Sequence, residues 1–301
     1  MTLHSQTAQT ISILSIYSVF PMELNEMVQA NLRRAVNVAK HAPQLLRSIP
    51  SRVVFGTNTR FWAANVIPYT SFLFKKKTRN ENAHICRLGY EKARPKLGAE
   101  FWKKVRATYD RCIEDNSKVE TNSSKKKRWL VDAKNDVGLD DIIRILKDES
   151  VNSIINDYYG LPFYLLEVNA WRNYPADERD YVYSNFWHLD DFSYTSLRVF
   201  CFLSSGIEKD TGATRIASIA DSKNALRKFG FLHTSIDGEN TDTGEFPFIY
   251  LSGDLGDVFV FSADRCLHAA TSILKDQPRD MLELVIDVKK KSRNSLNILV
   301  D

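Results

Sequence analysis

His188 and Asp190 stand two residues apart in the stretch NFWHLDDFSYTS, residues 185 to 196, just ahead of a strand-like run. On an extended backbone, positions i and i+2 project to the same face. An imidazole and a carboxylate therefore emerge together, while Leu189 points away. Such a pair supplies two of the three protein ligands of a 2-His-1-carboxylate site, which holds non-haem Fe(II) by one face of an octahedron. The three positions left open suit a bidentate co-substrate together with O2. On the tripeptide alone the plainer reading carries more weight: a strand-end His and Asp that hydrogen-bond each other.

A metal site needs a third ligand, and His4, His41, His84, His233 and His268 compete for the role. His268 has the best setting. It follows the β-rich segment GDLGDVFVFSADRCL and precedes a turn signal at Lys275 to Pro278, then another β run. A hairpin there brings Arg279 back opposite His268, eleven residues later. Arginine grips a carboxylate through two parallel N–H bonds and keeps its charge when partly buried. His233 has Gly244 at the matching offset, followed by a polar, loop-like segment. His41 and His84 fall in a helical half, where structural roles are the expectation.

The elements that must position these residues are short and β-rich. FYLLEVNAW, YVYSNFWHL, SLRVFCFLS, FPFIYLSG, DVFVFS and MLELVIDV follow Gly160-Leu161-Pro162 and are separated by turn formers. Before them, apolar spacing predicts helices over 22–49, 99–116 and 139–148, the last with Asp140 and Asp141 in its first turn. The expectation is an α+β chain with a mainly β core, a sandwich or barrel with helices packed outside. Residues 1–160 form the helical region, 161–288 the β core and 289–301 a basic tail, together one structural domain.

Composition narrows the function classes. The 301 residues are 44% hydrophobic and 26% charged, enough for a sizeable core, and a net charge of +4 is too small to argue for nucleic acid. The basic runs Lys75–Lys77 with Arg79, Lys125–Arg128 and Lys289–Lys291 read as solvated loops and tail, without the interleaved aromatics that stack bases. Four cysteines without a C-x-x-C pattern suggest neither a zinc ribbon nor a disulfide framework, so a reducing, cytoplasmic setting is the default. ISILSIYSVF, residues 11 to 20, is too short to span a bilayer and lacks a preceding Lys or Arg. No membrane partner is expected. Motifs for dinucleotides, P-loops and α/β-hydrolases are missing.

From about Phe163 to Val288 the chain resembles the phytanoyl-CoA dioxygenase family of Fe(II)/2-oxoglutarate-dependent oxygenases. The resemblance rests on WHLDD (187–191), LRVFCFLSSGIEKDTGATR (197–215), GDVFVFSADRCLHAATS (256–272) and QPRDML (277–282), in the family's order. It implies a double-stranded β-helix, a jelly roll of the cupin type. It also implies that His188, Asp190 and His268 bind Fe(II), and that 2-oxoglutarate chelates the metal with its distal carboxylate on Arg279. O2 would be consumed, succinate and CO2 released, and a small-molecule metabolite oxidised.

The family's serine two residues after the distal histidine is Ala270 here, so Thr271 or Ser272 is a candidate for its hydroxyl, and Asn185 for a further co-substrate contact. Asn173, Tyr183 and Arg198 are candidate substrate contacts, Arg198 favouring an anionic one. Where many members carry Pro-Gly-Ser-His, this chain has IASIADSKN, and no substrate class is carried across that change. Related halogenases keep the carboxylate position small, so Asp190 points to hydroxylation, desaturation or oxidative cleavage. The alternative reading is a jelly-roll metal- or ligand-binding protein without turnover.

Overall fold

The computed structural model describes residues 80–121, 127–175, 185–190, 195–229, 235–236, 246–274, 277–290 and 295–300. The helix expected over 22–49 lies outside them. The described helices are α1 (His84–Leu88), α2 (Ala99–Glu114), α3 (Ala133–Val137), α4 (Leu139–Lys147), α5 (Glu149–Tyr159) and α6 (Ile219–Phe229). The strands are β1 (Tyr90–Ala93), β2 (Val119–Thr121), β3 (Lys127–Leu130), β4 (Phe163–Asn173), β5 (Trp187–His188), β6 (Leu197–Phe202) and β7 (Thr214–Ile216). They continue with β8 (Ser235–Ile236), β9 (Ile249–Leu251), β10 (Val258–Phe261), β11 (His268–Ala270), β12 (Arg279–Asp287) and β13 (Ile298–Val300).

The strands make two antiparallel sheets. The larger runs β1-β10-β6-β12-β4-β3-β2, with β13 pairing β4, and the smaller runs β8-β5-β11-β7-β9. β6 and β10 are buried at every position, as expected of strands covered on both faces: β10 is wholly apolar, and β6 is apolar except for Arg198. On the outer face Val199, Cys201, Val258, Val260, Leu282 and Leu284 pack with residues of α1 to α5 in one core. On the inner face Trp171, Phe200, Phe202, Phe259, Phe261 and Met281 pack with Ala213, Ile216 and Leu251 of the smaller sheet's side.

Local sequence accounts for the helices. α2 buries Trp102, Val105, Tyr109, Cys112 and Ile113, a stripe at helical spacing. α5 begins where Asp148 accepts a hydrogen bond from the Ser150 N–H at 3.0 Å, and ends at Gly160 in the left-handed region. α2 is also clamped to the sheet by Asp280, which is fully buried. Its carboxylate accepts from Arg172 (2.7 and 3.1 Å) and the Tyr109 hydroxyl (2.9 Å), and pairs with Arg106 (2.8 Å).

Three expectations need correction. His268 and Arg279 do not share a hairpin, because β11 lies in the smaller sheet and β12 in the larger. The chain passes from one sheet to the other between β11 and β12, and β12 finds long, largely apolar partners in β4 and β6. The run Lys125–Arg128 is not wholly loop: β3 starts at Lys127 and pairs with β4. Of YVYSNFWHL, only Trp187–His188 is strand among the described residues. β1 to β3 and β13 also join the larger sheet.

Candidate active site

His188 and His268 are opposite one another in the β5–β11 ladder, which puts both rings on one face with centroids 4.2 Å apart. Each ring's Nδ1 meets the carbonyl two residues before it, Phe186 at 2.7 Å and Cys266 at 3.1 Å. A carbonyl can only accept, so Nδ1 carries the proton and Nε2 presents its lone pair. Both Nε2 atoms face Asp190 Oδ1, at 3.7 Å from His188 and 3.6 Å from His268. The three ligating atoms all lie within 4.8 Å of one another.

Strand alternation is not what places Asp190. β5 ends at His188, and Asp190 is held beyond it by an N–H bond to the Ala263 carbonyl at 3.1 Å. Its other oxygen, Oδ2, accepts from Arg198 Nε (2.9 Å) and Nη2 (2.6 Å). Oδ1 is thereby left to face the imidazoles. Burial raises the Asp190 pKa, but His268, Arg198 and His188 outweigh it and hold the carboxyl below its ordinary range. Burial pushes His268 down to about 4, so its imidazole is neutral near pH 7, the form a metal requires.

Arg279 projects from β12 on the same inner face, almost completely buried. Burial lowers its pKa to about 10, which still leaves it charged at neutral pH. One guanidinium nitrogen, Nη1, donates to the Gly212 carbonyl, while the buried Nε–H has no hydrogen-bond partner among the described residues. Gly212 has φ +87, and a Cβ there would meet Ile273 Cγ1 at 2.7 Å. The positive φ and the close approach to Ile273 both call for glycine here.

The other candidates are placed as follows. Asn173 is the β4 partner of both Arg279 and Lys127. Asn185 donates to the Ala270 carbonyl at 3.2 Å. Thr271 Oγ1 lies 2.6 Å from the Lys209 carbonyl and 2.9 Å from that of Ala213, both of which draw on its one proton. Arg198 is turned to Asp190 and, at 3.5 Å, to Glu283. Tyr183 lies outside the described residues. Trp187 is fully buried against Phe246 and Phe248, as a core residue.

Sequence reasoning missed the residues that line a cleft of about 350 Å³ on this inner wall, chief among them Lys127, Trp129, Asn169, Trp171 and Glu283. Lys127 lies over the Trp171 ring, 4.5 Å from its centroid, and burial, then the nearby Arg279, lowers its pKa. The Trp171 Nε1–H is buried and has no hydrogen-bond partner among the described residues. The legible signal was alternation in Lys127-Arg128-Trp129, hidden inside a basic run.

No family model matches the chain, and no curated protein is similar to it in sequence. Solved structures do resemble it. The non-heme alpha-ketoglutarate-dependent epimerase SnoN from nogalamycin biosynthesis superposes with a TM-score of 0.50 at 19% identity, over 67% of this chain and 80% of that one. The carbocyclase SnoK from the same biosynthesis gives 0.49 at 16%, over 71% and 83%. HygX from Streptomyces hygroscopicus, solved with nickel and 2-oxoglutarate, gives 0.47 at 14%, over 70% and 87%. With its two facing antiparallel sheets, the chain has the jelly-roll fold of the 2-oxoglutarate oxygenases, with its sheets open and not closed into a barrel.

Proposed function

We propose that this protein is a non-haem Fe(II)/2-oxoglutarate-dependent dioxygenase of the phytanoyl-CoA dioxygenase type, oxidising a small-molecule metabolite and releasing succinate and CO2. The observation that carries this reading is the convergence of two imidazole Nε2 atoms on the one Asp190 oxygen that Arg198 does not occupy. Two neutral nitrogens and one carboxylate oxygen fit iron chemically. The orphaned, buried N–H of Arg279 fits the distal carboxylate of 2-oxoglutarate. When bound, iron and 2-oxoglutarate supply the oxidising power drawn from O2.

The chain's own residues supply geometry and exclusion of water. His188, Asp190 and His268 hold the metal, with Nδ1 bonds to backbone carbonyls fixing both rings. Arg279 orients the co-substrate, with Asn173 beside it in the β4–β12 ladder and Asn185 a further proposed contact. Thr271 is a weak replacement for the hydroxyl missing at Ala270, because two carbonyls already draw on its proton. Arg198 serves the metal ligand Asp190 in preference to an anionic substrate. The substrate enters the cleft walled by Lys127, Trp129, Asn169 and Trp171. Tyr183 remains a proposed substrate contact from the sequence, and an anionic group on the substrate would find Lys127.

The test is turnover of 2-oxoglutarate to succinate by the full chain with Fe(II) and O2, measured without added substrate. Slow succinate release that needs both Fe(II) and O2 and disappears in His188→Ala is the expected result. Fe(II) binding without any succinate would overturn the reading and favour a binding protein.

A further inference from the structure

Glu283 sits mid-strand in the apolar run MLELV and points to the inner face, between Asn169 of β4 and Phe200 of β6 in the ladders. Its side chain is 13% exposed. Nothing in strand pairing calls for an acid there, and an ionised carboxylate in such a place is unfavourable unless it is compensated. Burial accordingly raises its pKa, against the opposing pull of Arg198. One oxygen accepts from Asn169 at 3.0 Å, and the other lies 3.5 Å from Arg198 Nε. A carboxylate can accept about four hydrogen bonds, so this one is thinly satisfied. Its strongest neighbour is the guanidinium that holds Asp190.

Arg198 is itself buried; Asp190 and Glu283 both contact it, and the nearby charge of Asp264 also favours its charged form. Its short bonds go to Asp190 Oδ2 and its longer contact to Glu283. Two consequences follow from electrostatics. The second carboxylate shares the guanidinium charge, so Asp190 is less neutralised and stays a stronger donor. It also fixes the guanidinium plane, so that both N–H groups reach Oδ2 and Oδ1 stays turned to the two Nε2 atoms.

We propose that Glu283 is a positioning residue for the metal site: acting through Arg198, it holds Asp190 as a one-oxygen ligand with Oδ1 aimed at the metal. The proposal rests on the reading of His188, Asp190 and His268 as metal ligands. Asn169 is the outer end of the same relay.

The test is a calorimetric titration of Fe(II) alone, under argon, into the metal-free full chain. Glu283→Gln should weaken Fe(II) binding about tenfold, at the lower end of what outer partners of metal ligands contribute. Arg198→Met should weaken it further, and adding Glu283→Gln to Arg198→Met should change nothing more. That non-additivity marks action through Arg198 and not a general loss of packing. Affinity within twofold of wild type for Glu283→Gln, or losses that add in full, would overturn the proposal. If Glu283→Gln fails to fold, Asn169→Ala replaces it: roughly threefold weaker binding supports the relay, and unchanged binding overturns it. A wild type that binds Fe(II) but not 2-oxoglutarate contradicts the oxygenase reading and leaves this test intact. A wild type that binds no Fe(II) overturns both.

Discussion

In the larger sheet, β4 has eleven residues and β12 nine, and α1 to α5 share its outer core. In the smaller sheet no strand exceeds three residues: β5 and β8 have two each, and β7, β9 and β11 three. The two histidines sit on the short strands, facing each other across a single ladder position. Arg279, Glu283 and Arg198 sit on the long ones. Stability is concentrated where apolar area is buried on both faces, and the proposed metal ligands lie where the ladder is thinnest. A metal at that point would tie β5 to β11 and add to the smaller sheet's stability by mass action.

Substitutions can break this division. The largest effect is expected from His268→Ala, which removes a ligand from the smaller sheet. Calorimetry should find Fe(II) binding abolished and the metal-dependent rise in Tm lost, with the metal-free Tm nearly unchanged. Leu284→Ala should do the reverse. Leu284 is fully buried in the outer core, and the change should cost about 2–5 kcal/mol in urea unfolding, with Fe(II) affinity kept in the folded fraction. Equal losses of metal affinity and stability in both variants would contradict a separation of roles.

Smaller effects sharpen the same contrast. Arg279→Gln should raise the Kd for 2-oxoglutarate by roughly 10- to 150-fold, from loss of a charged hydrogen bond worth about 1.5–3 kcal/mol, while Fe(II) affinity stays put. Asp148→Ala removes the cap of α5, far from either histidine in sequence, and should cost about 1 kcal/mol of stability with no change in ligand binding. Thermal melts with and without metal and co-substrate would check both.

Legibility in the sequence followed the range of the interaction. His188 and His268 could be found because each sits beside an apolar β run, and their pairing needed only that two strands meet. Arg279 stands out as a candidate by its offset from His268, but a local turn signal cannot distinguish a hairpin from a crossover between sheets. Lys127 is not legible in the same way, because a charge run gives no hint that one lysine lies against Trp171. α6 carried a readable start that went unread: the Ser218 hydroxyl accepts from the Asp221 N–H at 3.1 Å, the serine-x-x-acid signature of a helix cap. Glu283 was visible as an acid in an apolar run, yet its partner Arg198 is 85 positions earlier in the chain, and only the β6–β12 ladder brings them together.

In the proposed Fe(II)/2-oxoglutarate site, two histidines of the smaller sheet and Asp190 just beyond β5 meet an arginine of the larger. Anaerobic addition of both to the metal-free full chain tests it most directly, by following the visible metal-to-ligand charge-transfer band. A band is expected in the wild type, none in His268→Ala, and in Arg279→Gln the same band at much higher 2-oxoglutarate. A band that survives His268→Ala, or wild-type protein that gives none with Fe(II) bound, would contradict it.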